Sequence, residues 1–162
     1  MTTPINLLAL DRLQGRYAHA LDSQDMAGWL ALFASEAEAS YICITREHVR
    51  AGLPIALMMD DCRARLEDRV TYVTRIWAGT FQDYQTRHLT QRLSADRAAD
   101  GTIHMVSNFV VYATAEENGV AEILTTGEYR DVICADADGH HFLSRTAVLD
   151  TSVLPRYIVY PI

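Results

Sequence analysis

Along the first thirty-odd residues, apolar positions recur at helical spacing. Leu10, Leu13, Tyr17, Ala20 and Leu21 share one face of a first helix, with Pro4 standing where a first-turn proline is tolerated. Asp22 is placed to cap a short second helix whose apolar face is Met26, Trp29, Leu30 and Phe33. "AEASYICIT" then reads as a strand, because Tyr41, Ile42 and Ile44 are β-favouring types. After Gly52-Leu53-Pro54, the residues Ile55, Met59, Cys62, Leu66, Val70, Val73 and Trp77 step by four or three throughout, which predicts one long core helix.

From Thr86 the period changes to that of strands. Asp100-Gly101, Asn118-Gly119 and Asp138-Gly139 are dipeptides favoured in tight hairpin turns. They bracket "IHMVSNFVVYATA", "VAEILTTGEYRDVICA" and "HHFLSRTAVLDTS", strands long enough to predict a strongly curved sheet, and "RYIVYPI" reads as a final strand. Gly127, alone inside a strand pattern, marks a bulge or a sharp bend. A helical first half and a strand-rich second half predict an α+β fold, helices packed on one antiparallel sheet, in a single domain over residues 1–162.

Composition narrows the function classes. Of 162 residues, 49% are apolar and 22% charged, the profile of a globular chain that buries roughly 70% of its unfolded surface. A net charge of −7 argues against a nucleic-acid surface, which needs clustered basic residues. All fourteen basic residues are arginines, the type suited to fixed planar ion pairs and to interfaces. The three cysteines, Cys43, Cys62 and Cys134, show no CxxC spacing, which points to a reducing cytoplasm. No apolar run approaches the length of a membrane span, and the N-terminal stretch lacks the pattern of a secretion signal.

No candidate chemistry carries a motif. The histidines are scattered and adjacent only at His140-His141, without the spacing that holds an iron–sulfur cluster, a zinc or a mononuclear iron. Ser107, Ser144 and Ser152 lack a nucleophile elbow. Charge is concentrated instead at "CRARLEDRVTYVTRIW". On a helical wheel, Glu67 and Asp68 face away from the apolar stripe, so they read as a charged back rather than as general acids or bases. Arg63 pairs with Glu67, and Asp61 with Arg65, at i,i+4. Arg69, nearest the apolar face, has no acid within its own helix and requires one from another element or another chain. In "GEYRD", Glu128 and Arg130 share one strand face, Tyr129 and Asp131 the other, so that one face is covered by something other than solvent. Asp150 closes the strand that carries Arg145 and is available to an arginine. Arg65, Asp68, Arg69, Arg87, Tyr129, Arg130, Asp131, Arg145 and Asp150 are therefore candidates for structural ion pairs or subunit contacts, and none is assigned a catalytic, metal or cofactor role.

Six blocks in order, "YAHALDSQDMAGWLALF", "RARLEDRVTYV", "TRHL", "SNFVVY", "GEYRDVI" and "SRTAVLDTSVLP", resemble the small (beta) subunit of bacterial aromatic-ring-hydroxylating oxygenases, from about Tyr17 to the C-terminus. "AGLPIALMMDD" and "YIVYPI" look most like the branch acting on ring carboxylates, that of salicylate 5-hydroxylase and of terephthalate and anthranilate dioxygenases. The resemblance implies a cone-shaped NTF2-like or cystatin-like fold and a chain without cofactors. It places the Rieske [2Fe–2S] cluster and the mononuclear Fe(II) in a separate large (alpha) subunit, commonly in an alpha3beta3 heterohexamer with other copies of the same chain. Electrons from NADH would arrive through a reductase and other electron-transfer proteins docked on the complex, in aromatic catabolism in the cytoplasm. The small subunit would then be non-catalytic. The competing expectations are a stand-alone isomerase or dehydratase of the same fold, with Tyr41, Asp61 or His88 lining a polar cone, and a ligand-binding or scaffolding module. The apolar stripe through Met59, Leu66, Val70 and Val73 favours a filled, apolar cone.

Overall fold

The computed structural model describes residues 4–162. Helix α1 (Leu7–Asp22) opens with Asn6, whose side chain accepts from the Ala9 amide, so Pro4 lies upstream of the cap rather than in the first turn. Leu10, Leu13, Tyr17, Ala20 and Leu21 are buried along one face, and Gln14 is buried with them. Helix α2 (Met26–Leu30) is capped by Asp25, which accepts from the Gly28 amide. Asp22 ends α1 instead. Phe33 lies past the end of α2 and forms a lone parallel bridge with Phe142.

Strand β1 (Ser40–Thr45) leads through α3 (Arg46–Ala51) to β2 (Ala56–Asp60), and then to α4 (Arg63–Thr71). The predicted long helix is therefore wrong over its first third. Ile55 and Met59 are four apart, which suits a helix, but with Leu57 between them they also form one face of a strand. That face is exposed, while Met58 and Asp60 point inward. Cys62 is the N-cap of α4, Leu66 and Val73 are buried, and Val70 is half-buried. Beyond Thr71 the helix widens into a π turn, Tyr72–Ile76.

The strand-rich half follows the predicted turns. β3 (Tyr84–Arg97), β4 (Ile103–Ala115), β5 (Ala121–Asp136) and β6 (Gly139–Leu149) are joined at the three expected hairpins. Gly101, Gly119 and Gly139 all have positive φ, which explains glycine in the turns. The six strands lie in the order β2-β1-β6-β5-β4-β3. All pairs are antiparallel except β1 with β6, which is parallel, so the sheet is mixed rather than purely antiparallel. Register shifts at Arg92/Ser94, Val111/Tyr112 and Val132/Ile133 mark bulges that help the long strands bend over the helices.

The concave side of the sheet and α1, α2 and α4 enclose the core. Trp29, Phe33, Tyr17, Tyr41, Tyr129 and Phe142 form a connected aromatic cluster there, with ring centroids 4.9–5.8 Å apart. The tail predicted as a strand pairs with no strand. Tyrosine hydroxyls hold its backbone: the Val159 amide donates to Tyr84 Oη (3.1 Å) and the Ile162 amide to Tyr41 Oη (2.8 Å), while Tyr17 Oη donates to the Ile162 carbonyl (2.7 Å). Burial pushes the Tyr17 phenol up to about 12 and Tyr41 well above its ordinary value, so both remain neutral hydroxyls able to donate.

Candidate functional site

The cone interior is filled, but it is not apolar. Arg145 on β6 is completely buried, and its Nε and Nη2 donate to the two Asp131 oxygens on the neighbouring strand β5, both at 2.8 Å. These residues face each other directly in the β5–β6 register. The guanidinium carbon lies 4.0 Å from the Tyr17 ring centre, 4.1 Å from Tyr129 and 4.0 Å from Phe142. Gln14 Oε1 accepts a further N–H from Arg145. Tyr129 also stacks on Phe109 at 4.3 Å. Burial pushes the Asp131 carboxyl up, and the adjacent Arg145 charge pulls against that shift. For Arg145, burial acts to lower the pKa, but the Asp131 charge outweighs it, so the guanidinium stays charged.

Arg69 reaches a second buried acid. Its Nε and Nη2 donate to both oxygens of Asp60 on β2, each at 3.0 Å, with the pair largely shielded from solvent. The predicted helix from Ile55 keeps Asp60 more than two turns away from Arg69 and out of its reach, whereas the strand β2 brings the two side by side. Arg65 pairs with Asp61 at 3.2 Å at the surface, and Arg63 with Glu67 at 3.1 Å. Arg63 has an additional role: its Nη1 donates to the carbonyls of Leu30, Phe33 and Ala34, tying α4 to the end of α2 and the segment after it. Asp68 and Arg87 are exposed and form no ion pair among the described residues. Arg130 pairs with Glu128 at 2.8 Å on the outer sheet face. Asp150 binds Arg46 at 2.7 Å, from the start of α3, and accepts from Thr126.

The residues proposed for a polar catalytic cone have separate commitments. The Tyr41 hydroxyl is taken up by the Ile162 backbone, and Asp61 by Arg65 at the surface. His88 is buried, with Nδ1 donating to Asp22 Oδ1 at 2.6 Å and Nε2 unpartnered, so its ring is satisfied on one side only. The local pattern that places Asp22 as a helix cap does not disclose its pairing with His88, 66 residues away. Burial acts to raise the Asp22 carboxyl, but hydrogen bonds from the His88 ring and amide and the Thr86 hydroxyl hold it below its ordinary value. A carboxylate depressed by folding contributes stability above its unfolded pKa of about 3.9, and that contribution is lost as pH falls through the lower folded value. Acid unfolding followed by circular dichroism should therefore steepen below about pH 4, and Asp22→Asn should remove that part of the slope. An unchanged slope in the variant would assign the acid sensitivity elsewhere.

Among the described residues, no group of three His, Cys, Asp or Glu side chains is placed to hold a metal ion, and no helix is long and apolar enough to cross a membrane. Residues 16–156 match the family model described as ring hydroxylating beta subunit. The chain belongs to this beta-subunit family. It is 28% identical over 150 residues to the anthranilate 1,2-dioxygenase small subunit of Burkholderia cepacia, covering 93% of this chain and 90% of that one. It is 23% identical to a terephthalate 1,2-dioxygenase terminal oxygenase beta subunit of a Comamonas species, over 98% and 99% of the two chains. Among solved structures, a beta subunit assigned to an aromatic-ring-hydroxylating dioxygenase of Novosphingobium aromaticivorans superposes with a TM-score of 0.77 at 28% identity, covering 88% of each chain. As in that beta subunit, helices pack on an open, curved, mixed sheet.

Proposed function

We propose that this beta subunit is the non-catalytic, assembly-forming part of an oxygenase that hydroxylates a carboxylated monocyclic aromatic of the anthranilate, terephthalate or salicylate type. The observation that carries this reading is the use of the cone interior. The strongest polar groups there, Arg145 and Asp131, are locked into each other and packed against three rings, which leaves neither to move a proton on a substrate. The Rieske cluster and mononuclear iron would belong to a large alpha subunit, in an alpha3beta3 complex fed from NADH by a reductase in the cytoplasm. The two curated relatives, named for anthranilate and terephthalate, support the carboxylate-bearing substrate class.

The test is to purify the chain alone and with its own large subunit. The isolated chain is expected to be iron-free and inactive. The complex is expected to take up oxygen with NADH, a reductase and a benzoate bearing a second polar substituent. Turnover by the isolated chain would reverse the non-catalytic assignment, and activity confined to uncharged arenes would reverse the substrate class.

A further inference from the structure

The tail after β6 is fastened unlike any strand. Among the described residues, no backbone-to-backbone hydrogen bond involves residues 151–162; the last one runs from the Asp150 amide to the Thr126 carbonyl at 2.9 Å. Asp150 is anchored further by Arg46 and by the Thr126 hydroxyl. Over residues 151–155 the hydrogen bonds are local, between the Thr151 hydroxyl and Val153, and Val153 is 77% exposed. Beyond Pro155 the tail is held through side chains. The Arg156 guanidinium lies 4.1 Å from the Tyr84 ring centre, and its Nη2 donates to the Gln82 carbonyl at 3.2 Å. The Gln82 amide donates to Tyr157 Oη at 3.1 Å. Val159 and Ile162 end in the bonds with Tyr84, Tyr41 and Tyr17 described above. Grooves flank this stretch on both sides, one of about 220 Å³ toward Glu117 and Val120 of the β4–β5 turn region, the other of about 440 Å³ toward Trp77 and Thr80.

β4 and β5 carry a ladder on each edge, so neither leaves the sheet without breaking two sets of backbone bonds. The tail leaves by giving up side-chain contacts alone. Each of its hydrogen bonds is exchanged for one to water on release, so the net loss per bond is small. The larger cost is re-exposing apolar surface, and that falls on Val159 and Ile162, with Leu154, Ile158 and Tyr160 already half-buried. These are a minor part of a core built mainly from α1, α2 and the sheet. Segments with few backbone bonds and little burial open at lower free energy than the whole domain unfolds. We infer that residues 155–162 form a strap that opens as one unit while the sheet and α1 stay folded, hinged in residues 151–155 and closed over the tyrosine end of the cone. Opening admits water to the hydroxyls of Tyr17, Tyr41 and Tyr84 and to the aromatic cluster of which Tyr17 and Tyr41 are part. The strap is therefore the seal of the cone interior.

The test is native-state hydrogen exchange of the full chain at low urea concentrations, followed at single amides by NMR. In the wild type, the Val159 and Ile162 amides are expected to share one protection factor, roughly tenfold or more below that of the β4 and β5 ladder amides. Their exchange should also depend less on urea, since opening the strap exposes less surface than global unfolding. Two variants separate the strap from the sheet. Val106→Ala, paired with Arg130 on the outer face of β4, weakens contacts that stay made when the strap opens. It should lower ladder protection and leave Val159 and Ile162 unchanged. Arg156→Ala removes the stacking on Tyr84 and the bond to Gln82, which are lost in strap opening and in global unfolding alike. Strap and ladder protection should then fall by the same factor, about tenfold. Equal protection of strap and ladder amides in the wild type would make the tail part of one cooperative unit with the sheet and overturn the inference. A fall in strap protection in Val106→Ala would do the same. Unequal protection at Val159 and Ile162 would mean that the tail frays piecemeal, and unchanged strap protection in Arg156→Ala would mean that its fastening lies elsewhere; either result overturns the strap as described.

Discussion

Asp131→Ala should destabilise the chain by about 3–5 kcal/mol, because it strands a fully buried guanidinium with no counter-charge. Natural domains hold only about 5–15 kcal/mol in all, so the variant should unfold at a much lower denaturant concentration and accumulate poorly. The loss belongs to the unpaired charge rather than to the attraction between the two groups. Replacing both partners with apolar residues of similar volume, Arg145→Met with Asp131→Leu, should therefore recover much of what the single substitution removes. Recovery should be incomplete, since Met in place of Arg145 also gives up the stacking against Tyr17, Tyr129 and Phe142. Urea unfolding of the two variants decides the matter. A loss below about 1 kcal/mol for Asp131→Ala would mean that water reaches the pair and that the interior is not sealed as the packing indicates.

This pair also shows what the sequence could and could not disclose. The alternation of "GEYRD" separates Tyr129 and Asp131 from Glu128 and Arg130, and the structure keeps that separation: the first two are buried, while Arg130 is exposed and Glu128 half-buried. What covers the inner face is the chain's own core. The partner stayed hidden because cross-strand register depends on a bulge at Val132/Ile133, which no local pattern reports. The same limit explains β2. Ile55, Leu57 and Met59 satisfy a strand period as well as the ends satisfy a helical one, and Asp60 can point inward from the strand because Arg69 neutralises it. Tertiary pairing decided between two local patterns of equal merit. The three hairpins were legible because their glycines have positive φ, a local requirement that needs no partner. The apolar tail predicts a strand, but its backbone is held by hydrogen bonds with the hydroxyls of Tyr17, Tyr41 and Tyr84, distant in sequence and not part of a ladder.

Gly127→Ala is expected to be the second severe substitution, although it adds one methyl group. Gly127 sits mid-strand on β5, opposite Phe109 on β4 and Leu149 on β6. Its φ is not positive, so the requirement for glycine is space rather than backbone conformation. A Cβ here would lie 2.2 Å from the Val148 carbonyl oxygen and 2.7 Å from Phe109 Cζ. The ring could turn aside, but the carbonyl belongs to the sheet backbone and moves only if β5 and β6 separate. Overpacking of this kind costs typically 1–3 kcal/mol, and contact with a backbone atom places this site at or above the upper end, about 3 kcal/mol. The two contacts can be told apart. Adding Phe109→Leu to Gly127→Ala relieves the ring but not the carbonyl, so the double variant should recover little stability. Because Phe109 also stacks on Tyr129 beside Arg145, the disturbance should spread into the buried pair, and hydrogen exchange should quicken along β5 and β6 together. Full recovery by Phe109→Leu would show that the ring alone excludes a side chain at position 127. A Gly127→Ala chain as stable as the wild type would show that β5 and β6 have freedom to part which the packing does not indicate.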